Sequence, residues 1–319
     1  MTSTVEKQVF IIDDFHRNLL EKLDAANISY NYSPDISASE AIAQFPQYPV
    51  IVCRSKVTFT KAILEPLTQL KCIARGGAGM DNIDEKQATI QGITLLNAPE
   101  GNRDAVAEHA IGLILSLSNN ITKGNAEVKQ KIWQREANRG WEIGNKTIGI
   151  IGFGNTGKAL ANKLSGFGSR IIAYDKYVTP NQTGVTSVSL EQLQAEADIV
   201  SLHVPLTDET FHMVNSGFVN AAKQGFTLIN TSRGPVVDNN AILDGLKSKK
   251  IRAFGSDVLE NENFKNYDQN ELVIFEQMAE NQNVILTPHV AGWTVESYQK
   301  ISTVLADKLI DFTTKSKKY

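Results

Sequence analysis

Two α/β units, each a doubly wound and mostly parallel sheet, are the fold that the sequence predicts, on three observations. Short β-branched runs alternate with helix-length segments along the first hundred residues. One long helical stretch interrupts the alternation, which then restarts. The restart carries the glycine spacing "GIIGFGNTG" at residues 149–157. Alternation of this kind lays strands parallel and covers both sheet faces with helices. At 319 residues, 42% apolar and 21% charged, the chain is long for one core and ample for two.

In chain order, "VFIIDD", "ISYNYS", "PVIVCRS", "KCIARGG" and "ITLLNAP" read as strands of the first unit. Between them, "FHRNLLEKLDAAN", "SASEAIAQF", "TKAILEPL" and "NIDEKQATIQG" carry helical apolar spacing. A long helical stretch is expected from about Asp104 through "AEVKQKIW". Strands "TIGIIG", "RIIAYD", "DIVSLHV", "FTLINTS", "IRAFGSDV" and "NVILTPH" build the second unit. The last segment, "TVESYQKISTVLADKLIDFTTK", is helical with no strand after it, and is free to pack back onto the first unit. No solenoid repeat and no low-complexity linker interrupts the pattern.

Bulk properties narrow the function classes. A net charge of −3 argues against nucleic acid or an anionic membrane as main partner, and the basic end "KSKKY" reads as a solvated helix end. "MTSTVEKQVFIIDD" lacks a basic region before its apolar run, so no secretion signal is read, and "HAIGLILSLS" is too short to span a bilayer. Cys53 and Cys72 sit in strand-like runs, as small core residues of a reducing compartment do; the expected location is the cytoplasm. No metal site is called for.

The glycine loop has a physical job. Gly152 permits a tight turn, Gly154 lets backbone approach a pyrophosphate, and Gly157 allows close helix–strand packing. The helix that follows presents free N–H groups and the positive end of its dipole. Asp175, at the tip of the next strand, suits two ribose hydroxyls and repels a 2′-phosphate. It therefore favours NAD over NADP, a preference softened by Lys176. Here the loop is a dinucleotide site.

Hydride chemistry needs a proton-transfer group beside the cofactor and a cation for an acidic substrate. Of the histidines, His16, His109 and His212 read as surface or packing residues, and His203 as lining for the cofactor site. His289, in "LTPHVAGWT", follows a strand and Pro288 where the chain returns to the first unit. Arg233, in "INTSRGPVVD", follows a strand of the nucleotide unit and has the planar fork that suits a carboxylate. A carboxylate touching His289 would stabilise its imidazolium and fix its tautomer. Asp257, Glu260 and Glu262 all qualify on sequence.

"RGGAGMDNID", "NAPEGNRDAVAEHAIGLIL", "TIGIIGFGNTGKAL" with "FGSRIIAYD", "LHVPLT", "INTSRGPVVD", "SDV" and "TPHVAGWT" occur in this order. On these motifs the chain resembles the D-isomer-specific 2-hydroxyacid dehydrogenases over essentially its whole length. The resemblance implies a Rossmann NAD-binding domain at 99–289, inserted in a flavodoxin-like substrate domain at 1–98 and 290–319. It implies Arg233 as the ligand of the substrate carboxylate, His289 as proton donor and acceptor, and Glu262 as the acid paired with His289. Asn263 stands where the family normally has proline, so Glu260 is the reserve candidate. For the cofactor it implies the loop Gly152, Gly154, Asn155, Thr156 and Gly157, with Asp175 and Pro205. Thr231, Ser232 and Asp257 would line its nicotinamide half, and Gly292 would also bind the cofactor. For the substrate it implies the amides of Ala78 and Gly79, with Ser55 and Asn102 at the edge of the site. Family members dimerise through the cofactor domain, so a homodimer is expected.

Within the family, "RGGAGMDNID" and "NAPEGNRDAVAEH" look most like the phosphoglycerate dehydrogenase branch. Arg54, Lys56 and Arg135 are spare cations for a phosphate, or ordinary surface charges. Glyoxylate or hydroxypyruvate reduction is the alternative substrate reading. The length leaves no room for the C-terminal regulatory domain of some phosphoglycerate dehydrogenases. A reading from another class is an NAD-sensing corepressor, which keeps the same fold and can keep the same residues.

Overall fold

The computed structural model describes residues 8–316. The first seven residues, part of the stretch read for a secretion signal, and residues 317–319 of the basic end lie outside the described residues. Two compact units divide the chain, Met1–Asn102 with Trp293–Tyr319, and Arg103–Gly292. Both breaks fall a few residues past the expected ones.

Strands β1 (Val9–Ile11), β2 (Tyr30–Tyr32), β3 (Val50–Cys53), β4 (Cys72–Arg75) and β5 (Thr94–Asn97) form the sheet of the first unit. Their order is β2-β1-β3-β4-β5 and every pairing is parallel. Helices α1 (Asn18–Ala25), α2 (Ala38–Gln44), α3 (Lys61–Leu64) and α4 (Glu85–Ile90) make the crossovers. Their starts are written in the sequence. Ser37 and Glu40 form a capping box on α2, and the Asp84 side chain accepts from the Gln87 N–H of α4. Val9, Phe10 and Ile11 are all buried, as a strand covered on both faces requires. Cys53 and Cys72 are free and buried in the same sheet, and burial pushes the Cys72 thiol up to about 12.

The long helical stretch proves to be two helices. α5 runs Pro99–Ser118, starting five residues before the expected Asp104, because proline fits a helix's first turn. Asn120 then takes a left-handed φ of 54° and ends the run; α6 (Ile121–Lys129) stops short of "KIW", with Lys131 at φ 63°.

In the second unit the strands are β6 (Thr147–Ile151), β7 (Arg170–Tyr174), β8 (Val185–Ser187), β9 (Ile199–Leu202), β10 (Phe226–Asn230), β11 (Ile251–Ser256) and β12 (Val284–Leu286). Their order is β12-β11-β10-β9-β6-β7-β8, again all parallel. β8 has no counterpart among the expected strands: it is a short edge strand whose Thr186 and Ser187 are exposed. Helices α7 (Asn155–Leu164), α8 (Leu190–Glu196), α9 (Ser216–Ala221), α10 (Asn239–Lys247) and α11 (Gln269–Glu280) link them. Ile148 and Ile150 pack with α5 and α7 on one face, while Ile151 and Ile172 pack with α8, α9 and α10 on the other. The winding reverses between β6 and β9, and at such a switch point open sheets leave room for a ligand beyond the strand ends.

Helix α12 (Val295–Ser316) returns to the first unit. Its Ile301, Leu305, Ala306 and Leu309 are buried with Val9, Ile11 and Leu19. The Lys308 ammonium bonds the Glu100 carboxylate and the Asn97 carbonyl. A Cβ at Gly101 would stand 2.6 Å from the Ile301 backbone, so glycine at the start of α5 lets the two helices touch.

Candidate active site

Between β6 and α7 lies a three-residue turn, Gly152–Phe153–Gly154. Gly152 has φ +90°, and a Cβ there would stand 2.3 Å from the His203 carbonyl oxygen. At Gly157 a Cβ would stand 2.1 Å from the Gly152 oxygen, so the helix is pressed on the strand end. Gly154 is the opposite case: nothing lies within 4 Å of where its Cβ would be. It is the N-cap of α7 and no side chain caps the helix, which leaves the first-turn N–H groups at Asn155 and Thr156 for an anion. Asp175 closes the other side. Its Oδ2 accepts from Phe153 N–H (2.7 Å), and its Oδ1 from the N–H groups of Tyr177 (2.9 Å) and Val178 (3.0 Å). Lys176, expected to soften the preference for NAD, has its ammonium 2.6 Å from Glu209. An open cradle with a fixed carboxylate at its rim fits a dinucleotide.

β10 ends on Asn230, whose buried side chain ties the next turn. Its Oδ1 accepts from the Ser232 N–H (3.0 Å) and hydroxyl (2.7 Å), and its Nδ2 donates to the Arg233 carbonyl (2.9 Å). Asn230 was not among the expected site residues, although it stands inside "INTSR". A Cβ at Gly234 would stand 1.8 Å from the Leu259 carbonyl oxygen, so this turn and the loop after β11 lie against each other. Ser232 is buried. Thr231 Oγ1 is buried with no hydrogen-bond partner among the described residues, as a group awaiting a ligand would be.

His289 follows β12 with a left-handed φ of 53°, a conformation that non-glycine residues hold only under constraint. Asp257 supplies the constraint. Its carboxylate is 1% exposed, accepting from the Thr287 hydroxyl (2.6 Å) and the N–H groups of Val290 (3.0 Å) and Ala291 (2.7 Å). The Asp257 carbonyl accepts the His289 N–H (2.8 Å). Of the acids left open by sequence, Glu262 meets His289 Nδ1 at 2.9 and 3.0 Å, while Glu260 bonds His212 Nε2 at 2.6 Å. His289 and Glu262 are each 48% exposed. The hydrogen bond from His289 holds the Glu262 carboxyl below its usual range against its partial burial, and the Arg233 charge lowers it further. Glu262 and His289 therefore meet in the second unit, with Arg233, whose guanidinium donates to the Ser232 carbonyl (2.6 Å), near enough for its charge to act on Glu262.

The remaining residues are placed as follows. His203 Nε2 bonds the Ser201 hydroxyl (2.8 Å), and burial pushes the ring down to about 4. Pro205 is exposed after β9, and Gly292 closes the His289 loop. His109, expected as a surface or packing residue, is partly buried with its Nε2 2.9 Å from Thr287 Oγ1. In the first unit, Asn97 Nδ2 donates to the Ala78 carbonyl (2.7 Å) and steadies Ala78–Gly79. Ser55 is exposed after β3, and Asn102 Oδ1 is buried without a hydrogen-bond partner among the described residues. Lys56 is corrected: its ammonium bonds the Ile12 and Pro34 carbonyls (2.5 Å each), so it holds backbone and is no spare cation. The Arg54 guanidinium lies over Trp293, 4.1 Å from its ring centre, and 5.6 Å from that of Tyr298. Its N–H groups make no hydrogen bond among the described residues, and Arg135 is exposed after α6.

Residues 111–291 match the family model described as D-isomer specific 2-hydroxyacid dehydrogenase, NAD binding domain. The chain is 36% identical over 277 residues to a hydroxypyruvate reductase of Thermotoga maritima, covering 87% of this chain and 89% of that one. It is 32% identical over 305 residues to a D-3-phosphoglycerate dehydrogenase of Mycobacterium leprae, covering 94% of this chain but only 56% of that one. Among solved structures it resembles the D-lactate dehydrogenase of Aquifex aeolicus complexed with NAD and lactic acid, with a TM-score of 0.83 and 27% identity. That match covers 97% of this chain and 96% of the other.

The glycine cradle makes a direct prediction. In Gly157→Ala the added methyl must push α7 off the Gly152 carbonyl, at a cost of about 1–3 kcal/mol. NADH affinity, measured by fluorescence titration, should fall by about five- to a hundredfold. Unchanged affinity would contradict the cradle.

Proposed function

Because this chain belongs to the D-isomer specific 2-hydroxyacid dehydrogenase family, whose members are NAD-linked oxidoreductases, we propose that it interconverts a D-2-hydroxy acid and its 2-keto acid. The observation that carries this reading is the Glu262–His289 pair, with the Arg233 charge acting on Glu262. Glu262 accepts the proton-bearing Nδ1 of His289, which leaves Nε2 to face the substrate. In oxidation, Nε2 takes the hydroxyl proton as C2 loses its hydride; in reduction, Nε2–H returns the proton to the carbonyl oxygen. NAD supplies the hydride acceptor and, once reduced, the donor. Arg233 holds the substrate carboxylate with charge-assisted bonds worth about 1.5–3 kcal/mol each. The resemblance assigns the Ala78 and Gly79 amides, with Ser55 and Asn102, to the substrate. Asn155, Thr156, Asp175, Thr231 and Ser232 serve the cofactor.

Arg54 decides the substrate we favour. A guanidinium stacked on an aromatic face keeps its in-plane donors, and these can bind a second anion bidentately. That supports 3-phosphoglycerate and phosphohydroxypyruvate. The second reading, hydroxypyruvate, is favoured by the full-length match to a hydroxypyruvate reductase, since the phosphoglycerate dehydrogenase relative is much longer. We also propose a homodimer. Ile121, Val128, Ile132 and Trp133 leave an apolar stretch exposed around α6, with Trp133 78% exposed. Light scattering that gives a monomer mass would remove that proposal.

NADH oxidation with phosphohydroxypyruvate, hydroxypyruvate, glyoxylate and pyruvate tests the function. Phosphohydroxypyruvate should have the highest kcat/KM, and Arg54→Gln should lower it by about tenfold or more while sparing glyoxylate. Turnover of none of the four, with NADH still bound, would sink the enzyme reading in favour of a sensor. Glu262→Gln removes a negative charge beside the imidazole and so disfavours its protonated form. The high-pH limb of keto-acid reduction should therefore move to lower pH, and a limb that stays in place would reject the pairing.

A further inference from the structure

A chain of polar groups reaches the His289 loop from α5; it starts at the partly buried His109 and ends on the buried Asp257. Sequence separation hides the link, because His109 and Thr287 are 178 positions apart. His109 Nε2 lies 2.9 Å from Thr287 Oγ1 and 3.5 Å from Asp257 Oδ1. The direction of the bonds follows from counting protons. Thr287 has one hydroxyl proton and donates it to Asp257 Oδ1 (2.6 Å). Its oxygen therefore shows only lone pairs to His109, and Nε2 must carry the proton between them. Asp257 passes the constraint on through the Val290 and Ala291 N–H groups to the carboxylate and through the His289 N–H to its carbonyl.

Resting on the reading of His289 given above, we infer that His109 is a positioning residue for proton transfer. It acts through Thr287 and Asp257 to hold the His289 loop in its left-handed conformation. Packing fixes the starting point, since Ala107, Ala110, Leu113 and Ile114 of the same helix are buried in the core beneath β6. Without the Nε2 donor, the Thr287 oxygen loses its partner and the buried Asp257 carboxylate loses the N–H beside it. The loop then gains freedom, and the imidazole drifts from its station on Glu262. A proton-transfer group displaced by a fraction of a bond length loses rate before it loses affinity for the cofactor.

The experiment compares kcat, KM for the keto acid and NADH affinity in His109→Leu, His109→Gln, Thr287→Val and the His109→Leu/Thr287→Val double variant. His109→Leu should lower kcat on the order of tenfold or more with NADH affinity unchanged. His109→Gln, whose amide can donate in place of Nε2–H, should recover most of the rate. The double variant should be no slower than the worse single one, because both break one chain. Parental kcat in His109→Leu, a glutamine variant as slow as the leucine one, or multiplied losses in the double variant would each overturn the inference. Should His109→Leu fail to fold, a slow Thr287→Val beside a fast His109→Gln supports it, and the reverse overturns it. His289→Ala, assayed alongside, separates the two claims. Parental turnover there removes the role of His289 itself, whereas loss of turnover there with an active His109→Leu removes only the positioning role.

Discussion

One buried carboxylate determines where the chemistry of the second unit stands. Asp257 leaves the end of β11 and ties down the loop after β12, taking bonds from one hydroxyl and two backbone N–H groups while its carbonyl takes the His289 N–H. Four bonds on one residue are what allow His289 to keep a positive φ, a conformation that otherwise costs a non-glycine residue about 1–3 kcal/mol. The imidazole is exposed and chemically available because its backbone is not free to move. Asp257, matched by resemblance to the nicotinamide half of the cofactor site, has its carboxylate turned into the protein instead.

The other parts of the site follow from the way a doubly wound sheet ends. β6, β7, β10, β11 and β12 run parallel, so their C-terminal ends lie on one edge and carry Gly152, Asp175, Arg233, Asp257 and His289 in turn. Glycines then set how closely the connecting turns approach. Gly157 seats α7 on the Gly152 carbonyl, and Gly234 seats the Arg233 turn on the Leu259 carbonyl. The second contact brings Arg233 near enough for its charge to act on Glu262. The glycine cradle and the His289 loop are thus products of the same strand geometry, displaced along one edge.

Much of this is legible in the amino-acid sequence. The alternation of strands and helices, the glycine turn and Asp175 are local signals, and local signals survive in sequence. What was not legible depends on contacts between distant residues or on short, weakly patterned segments. β8 escaped notice because three residues with two exposed side chains carry no apolar period. The start of α5 was read late because proline looks like a stop unless it occupies the first turn. Sequence could not choose between Glu260 and Glu262, since each lies within reach of a histidine; only the fold gives one to His212 and the other to His289. Lys56 looked like a free cation because nothing in its neighbourhood predicts that two backbone carbonyls will take its ammonium. The partner of His109 is hidden for the same reason, being supplied by the far end of the unit.

Asp257→Asn is the most direct measurement, because it keeps the shape of the side chain while replacing one acceptor oxygen with an N–H₂ that would face a donor. Turnover and NADH affinity would be read on the same folded preparation. If the carboxylate works by holding the His289 loop, turnover falls by about a hundredfold while NADH still binds and the fold melts as one transition. Turnover close to that of the parent would contradict the account, because His289 would then keep its place without the residue said to hold it.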